Sequence, residues 1–189
     1  MSSAREKILK TASELMEKQG YHGTGLKEII QTSGAPKGSL YYYFPDGKEQ
    51  LASEAILQAG KTVSDRFRER TAAEPNAAQA IRGFLYMVAQ RMEETNFYTG
   101  STMTMIAMET VVESKRINQA CQQGYMMLIE AFRDKLLSGG MDATRAGNMA
   151  EMIIAAVEGG IILSRTYQDA NHLRRIADHI LGMLKADKT

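Results

Sequence analysis

Apolar positions recur every three or four residues along nearly the whole chain, and no stretch alternates apolar and polar residues at the two-residue period of a strand. The pattern predicts helices. Ser3 and Glu6 have the spacing of a capping box. Behind them Ile8, Ala12, Leu15 and Met16 keep helical spacing as far as Gly20, which suits a helix C′ position. Thr24 stands where it can cap a short helix, LKEIIQTS, that ends at Gly34. A third helix is expected from Pro36 to about Phe44. Proline suits the first helical position and pushes Ala35 toward the extended backbone an N-cap needs. PDG is a turn. A long helix follows over 48–72, with Leu51, Ala55, Ile56, Ala59, Val63 and Phe67 on one stripe.

The clearest break is AAEPNAA, near residue 75. Beyond it the periodicity predicts helices over 77–94, 102–113, 115–137, 142–168 and 172–186, with TNFYTGST and LSGGMD as loops. The expected fold is all-α. A head of three short helices lies within residues 1–50 and a larger helical body spans 51–189, the long helix joining the two. There is no internal repeat and no low-complexity tract.

One stretch of the head does not read as ordinary core. GAPKGSLYYYFPDGKEQL sets Tyr41, Tyr42 and Tyr43 side by side before Phe44, with Lys37 and Lys48 on either side. At about 100° per residue, Phe44 and Tyr43 fall on the side of Leu40, Tyr41 falls on the flank, and Gly38 and Tyr42 lie opposite. Leu40 and Phe44 therefore anchor the helix. The outer face carries no bulk at Gly38 and hydroxyl-bearing residues around it, Ser39, Tyr41 and Tyr42. Such a face can approach another surface closely and donate hydrogen bonds to it. LKEIIQTS, Gly34 and this second helix together have the form of a helix-turn-helix, whose second helix enters the DNA major groove while hydroxyls and backbone N–H groups hold phosphate. The bland reading of Tyr41 and Tyr42 is a pair of exposed aromatics at a protein interface, and that of Lys37 and Lys48 is solvated surface charge.

Charge neither adds to this picture nor removes it. The chain of 189 residues carries a formal net charge of +1. Its first 52 residues hold seven Lys or Arg against six Asp or Glu, so any DNA contact comes from placement and not from bulk charge. The 44% of hydrophobic residues supports a sizeable core. Cys121 is the only cysteine, which excludes an internal disulfide framework and a cysteine zinc cluster. It lies on the apolar stripe Ile117, Cys121, Gly124, Leu128 and Phe132, where a buried structural thiol is the plainer reading and a redox sensor the alternative. The N-terminus lacks the apolar segment of a signal peptide, and no apolar run approaches the roughly 20 residues of a membrane span. A soluble, cytoplasmic protein is expected. His172 and His179 share a helix but no carboxylate or cysteine set joins them at ligand spacing, so no metal is assigned. No cofactor is expected either. GTGLKE has only part of a nucleotide loop's glycine spacing and no strand before it, and neither Ser39 nor Ser164 sits in a nucleophile elbow. An enzyme is therefore not expected; a helical small-molecule-binding protein or enzyme without DNA binding is the alternative to a DNA-binding regulator.

The segment REKILKTASELMEKQGYHGTGLKEIIQTSGAPKGSLYYYFPDGKEQL resembles the DNA-binding head of the TetR/AcrR family of transcriptional regulators. GAPKGSLYYYFPDGKEQL, METVVES and EGGIILSRTYQD are most similar to its LmrA/YxaF-type branch. The resemblance implies an all-helical homodimer, a repressor whose body takes a small-molecule inducer that respaces the two heads and releases operator DNA. It places the family's phosphate- and base-contacting positions on Thr24, Lys37, Gly38, Ser39, Tyr41, Tyr42, Tyr43 and Lys48. Pro36 stands where many relatives have a hydroxyl. Ile30 is larger and Ala35 smaller than is common at their positions, which suggests a volume swap. The PDGK turn is longer than the commonest one, so the reach of Lys48 is open.

The body is rich in methionine, which is either adaptable core or the lining of a deformable apolar cavity. If a pocket is present, it is expected around Phe84, Met105, Met108, Glu109, Tyr125, Ile129 and Met152. An apolar ligand, neutral or cationic, would suit it. Glu109 interrupts an apolar face, so it either caps or pairs locally or meets a ligand donor. Val157, Gly160, Ile161, Ser164, Ile176 and Ile180 are the expected dimer contacts, two helices from each chain forming a four-helix bundle. Two heads on such a dimer would meet a pseudo-palindromic duplex.

Overall fold

The computed structural model describes residues 3–98, 102–110 and 112–186. Among these every regular element is an α-helix. The chain divides into two compact units, Met1–Lys61 with Ser101–Tyr125 and Thr62–Gly100 with Met126–Thr189. The boundary is drawn differently from the expected division at residue 50. Residues 101–125 group with the head, and two of the three divides, after Lys61 and after Tyr125, fall inside long helices.

In the first unit α1 (Ala4–Gly23) opens on the expected capping box. The Glu6 N–H donates to Ser3 Oγ at 3.2 Å and the Ser3 N–H donates to Glu6 Oε2 at 2.9 Å. Gly20 leaves helical geometry (φ 79°, ψ 175°), and one further turn, Tyr21–Gly23, follows the kink. α2 (Leu26–Ser33) ends on Gly34 in the left-handed region, φ 64°, where a side chain would be strained. α3 is short, Ser39–Tyr43. Pro36 does not open it as expected; its carbonyl instead accepts the Ser39 N–H at 2.9 Å, so the chain makes one turn before the helix. α4 (Gly47–Thr71), α6 (Thr102–Thr110) and α7 (Lys115–Ser138) complete the set. α6 stops before the expected residue 113, and residue 111 lies outside the described residues. The head core joins Ile8, Leu9, Ala12, Ile29, Leu40, Phe44, Leu51 and Ala55. Ile30 and Ala35 both pack against it. Within this unit α4 and α7 approach closely at paired glycines: a Cβ on Gly60 would stand 2.8 Å from Gly124 Cα.

The second unit contains α5 (Ala77–Glu94), α8 (Ala143–Tyr167) and α9 (Asn171–Ala186), with the later parts of α4 and α7. Phe67 of α4 stacks on Phe132 of α7 with ring centres 4.0 Å apart, and Phe84 of α5 meets Phe67 edge-on at 5.0 Å. Three buried rings in contact place Phe84 in the packing centre of the unit. The Lys135 ammonium donates to the Thr71 and Glu74 carbonyls at 2.8 and 2.6 Å, closing the C-terminal end of α4. Asp142 caps α8 through the Arg145 N–H at 3.0 Å. α5 and α9 are tied at the surface by Arg82 and Tyr86 on Asp178 and by Arg174 on Glu93.

α8 corrects the expectation that no apolar run reaches membrane-spanning length. By length and composition alone Ala143–Tyr167 could cross a bilayer, its most apolar window having a mean hydropathy of 1.4. Only part of that window is buried within the chain. A helix apolar on two sides has one face packed on α9 and another left over.

Candidate nucleic-acid interface

α3 is held from behind. Leu40 and the following Phe44 are fully buried, and Tyr43 is half-buried against the same core. Burial on this scale stabilises by about 1.5–3 kcal/mol per large apolar side chain, which fixes the rotation of so short a helix. The opposite side is thereby turned out. Tyr42 is 79% exposed and Tyr41 59%. The Tyr42 ring stands edge-on to Tyr43, centroids 4.9 Å apart, so its hydroxyl is carried on a supported ring. A Cβ on Gly38 would meet nothing within 4 Å. Lys37 is exposed beside it and Ser39 half-buried.

Two of the residues expected at the DNA face are placed differently. Thr24 does not cap α2, whose N-cap is Gly25 without a side-chain bond. Thr24 is fully buried and its hydroxyl donates to the Gly20 carbonyl at 2.7 Å. The kink at Gly20 frees that carbonyl, and the threonine one turn later takes it up. Lys48 is half-buried at the start of α4. Its ammonium lies 3.4 Å from the His22 carbonyl and 4.4 Å above the Tyr21 ring centre. Burial pulls its pKa down, and the Glu109 carboxylate opposes that shift.

The expected pocket residues divide between the units. In the first, Met105 is half-buried and Met108 is 77% exposed. Tyr125 is half-buried, its hydroxyl 2.9 Å from that of Thr104. Glu109 has a partner far off in the sequence: its Oε2 accepts the His22 N–H at 2.8 Å. In the second unit Phe84 belongs to the aromatic centre, Ile129 is half-buried and Met152 is exposed. A cleft of about 310 Å³ in that unit is lined by Ala77, Leu136, Met141, Asp142, Arg145 and Leu184 among others, and none of the seven expected residues lines it.

The residues expected at a dimer face pack largely within the chain. Gly160, Ile161, Ser164 and Ile180 are buried within one chain, and Val157 and Ile176 are half-buried. A Cβ on Gly160 would lie 2.7 Å from Ile176 Cδ1, and Ser164 Oγ accepts the Leu173 N–H at 3.2 Å. Gly160 and Ser164 thus face α9. The surface left over carries Met152, Ile162, Leu163 and Tyr167 of α8 and Met183 of α9, all exposed. The signal was available in the run Ile161-Ile162-Leu163: three consecutive apolar residues on a helix cannot all face one neighbour.

Cys121 is buried and burial pushes its thiol pKa up, which leaves it poorly nucleophilic. Among the described residues no three His, Cys, Asp or Glu side chains are grouped as a metal site. His172 stacks on Tyr167 with centroids 4.8 Å apart.

A short helix anchored behind by a core, reached through a glycine turn and presenting hydroxyls on its open side, is the geometry of a helix-turn-helix DNA-binding protein. Residues 8–55 match the family model "Bacterial regulatory proteins, tetR family", and residues 77–179 match "Transcriptional regulator LmrA/YxaF-like, C-terminal domain". The chain belongs to the TetR family of bacterial transcriptional regulators, in its LmrA/YxaF-like branch. It is 37% identical over 182 residues to the HTH-type transcriptional regulator LmrA of Bacillus subtilis, covering 96% of this chain and 97% of that protein. With the uncharacterized HTH-type regulator YxaF of the same organism it shares 38% over 177 residues, 94% of this chain and 93% of that one. In fold it is similar to a TetR transcriptional regulator from Legionella pneumophila, with a TM-score of 0.83, 24% identity and coverage of 95% and 96%. The relatives are transcriptional regulators and not enzymes. Members of the family bind operator DNA and typically act as dimers.

Proposed function

We propose that this regulator is a cytoplasmic, homodimeric repressor that binds a pseudo-palindromic operator and is released from it by an apolar small molecule, neutral or cationic. The observation that carries the DNA half of the reading is the open side of α3, with Gly38 bare and Tyr41 and Tyr42 exposed beside Lys37. In this reading Tyr41, Tyr42, Lys37 and Ser39 take phosphate and base edges, while Thr24 and Lys48 shape the head from inside. The partner copy covers the outer face of α8 and α9, at Ile162, Leu163, Tyr167 and Met183, and the two heads meet half-sites about 34 Å apart or a multiple of it.

The inducer half rests on membership of this regulator family and, within the first unit, on the half-buried Met105 and Tyr125. Phe84 and Glu109 are already engaged, by two rings and by a backbone N–H, so a ligand reaching either displaces an internal contact. A ligand that binds the DNA-free form ten to a hundred times better supplies about 1.4–2.8 kcal/mol of coupling, enough for a switch. The test has two stages. A random-sequence duplex library is enriched on the protein and the winner titrated; a two-fold-related sequence is expected. Small molecules found by thermal shift are then added to that complex. Hits that stabilise the protein yet leave its DNA affinity unchanged would remove the inducer from the reading while keeping the operator.

A further inference from the structure

The end of α1 is held from two sides through a single residue. Glu109 of α6 accepts the His22 N–H at 2.8 Å, and Lys48 of α4 reaches the His22 carbonyl at 3.4 Å. Both groups belong to the turn that follows the Gly20 kink. Glycine suits this point: a Cβ on Gly20 would displace the Glu109 carboxylate, and the φ of 79° is strained for a residue with a side chain. Neighbouring groups complete the junction. His22 Nε2 lies 3.7 Å from Glu113, Ser114 bonds Glu49 of α4, and Arg116 of α7 pairs with Asp46 at 2.7 Å. α6 packs on α1. The Lys48 ammonium is covered on one side by the Tyr21 ring.

Lys48 thus has partners within the chain, a carbonyl and a ring at the end of α1. We infer that Glu109 and Lys48 are positioning residues for DNA binding: together they set the turn Tyr21–Gly23, and through it the seat of α2 and α3, without touching DNA. The inference rests on the DNA-binding reading above. It adds a residue outside the helix-turn-helix segment whose loss weakens DNA binding, and it removes the direct phosphate role that the position of Lys48 suggests.

The sign of the effect separates this from its rivals. Glu109 is an anion, and a bystander anion repels DNA. Removing it for electrostatic reasons alone strengthens binding or leaves it unchanged. Removing a positioning group weakens binding. The probe is the duplex enriched from a random library by the unaltered protein, titrated by fluorescence anisotropy at two salt concentrations. Glu109→Ala is expected to bind it at least tenfold more weakly. Glu109→Gln, which keeps an acceptor for the His22 N–H, recovers most of that affinity, and thermal melting verifies that both variants are folded. Binding by Glu109→Ala that is equal or tighter overturns the inference, as does a Glu109→Gln variant no better than alanine. Lys48→Met completes a double-mutant cycle. Acting through the same turn, it loses little further affinity in the Glu109→Ala background; losses that add in full mean that Lys48 is a phosphate ligand, and its positioning role falls. If the unaltered protein enriches no duplex at all, the DNA-binding reading fails, and this inference fails with it.

Discussion

α3 and α8 each bury one side of a helix and leave large side chains on the other, but what they leave out differs. On α3 the open side is two tyrosines and a bare glycine, rings that end in hydroxyls and a backbone that can be approached. On α8 it is chiefly Ile162, Leu163 and Met152, with Tyr167 at the end of the helix. An aliphatic face in water gains only by burial against another apolar face, which suits a second copy of the chain. A hydroxyl-tipped face is already content in water and gains only where an acceptor, such as a phosphate oxygen, replaces the water it gives up. The two helices use similar inner packing to present opposite outer chemistry.

Breaking the inner sides should cost the most and should cost both helices alike. Leu40→Ala in α3 and Ile161→Ala in α8 each remove a buried aliphatic side chain, and each is expected to destabilise by about 2–5 kcal/mol in chemical denaturation. A loss below 1 kcal/mol at either site would mean that the helix is not anchored where the structure puts it. The outer sides should then part company. Leu163→Arg places a charge on the proposed partner face. It is expected to weaken self-association by about 2 kcal/mol or more, read as a shift from dimer to monomer in light scattering, while the melting of the isolated chain is spared. An unshifted dimer would assign the face elsewhere. Tyr42→Ala should leave stability within about 0.5 kcal/mol and cost about 1–3 kcal/mol of DNA affinity. A uniform loss across sequences marks a phosphate contact, and a relaxed preference at one base pair marks a base contact.

The smallest effect concerns the surface ties of α5 to α9. Arg82 and Tyr86 hold the Asp178 carboxyl below its ordinary value, and Arg174 does the same for Glu93. A carboxyl depressed in the folded state stabilises it at all pH above the unfolded value, and that contribution disappears as pH falls through the folded one. Melting temperature should thus be flat near neutrality with respect to these groups and decline only below about pH 4. Asp178→Asn should make that decline shallower. These ties are largely exposed, so the change is modest; an acid decline of equal slope in the variant would show that the loss arises elsewhere.

Much of this was legible in the chain itself. The helix ranges follow from apolar spacing, and the capping box at Ser3 and the stop at Gly34 from local chemistry that needs no neighbours. The outward turn of Tyr41 and Tyr42 also follows from spacing once Leu40 and Phe44 are taken as anchors, because a helix has only one inner side. Spacing alone cannot choose among several possible partners for one group. Thr24 has the sequence of a cap for the helix ahead, yet its hydroxyl turns back to the carbonyl that the Gly20 kink exposes. Gly160 and Ser164 read as a dimer face and serve the chain's own α9, since periodicity marks an apolar stripe without saying whose. Glu109 could be seen to need a partner, but the partner is a backbone N–H 87 residues away. Sequence thus determined which segments are helical and which sides must be hidden, both being consequences of short-range geometry. Tertiary structure decided which surfaces hide one another and where each polar group finds its bond, because those choices depend on residues that come together only when the chain has folded.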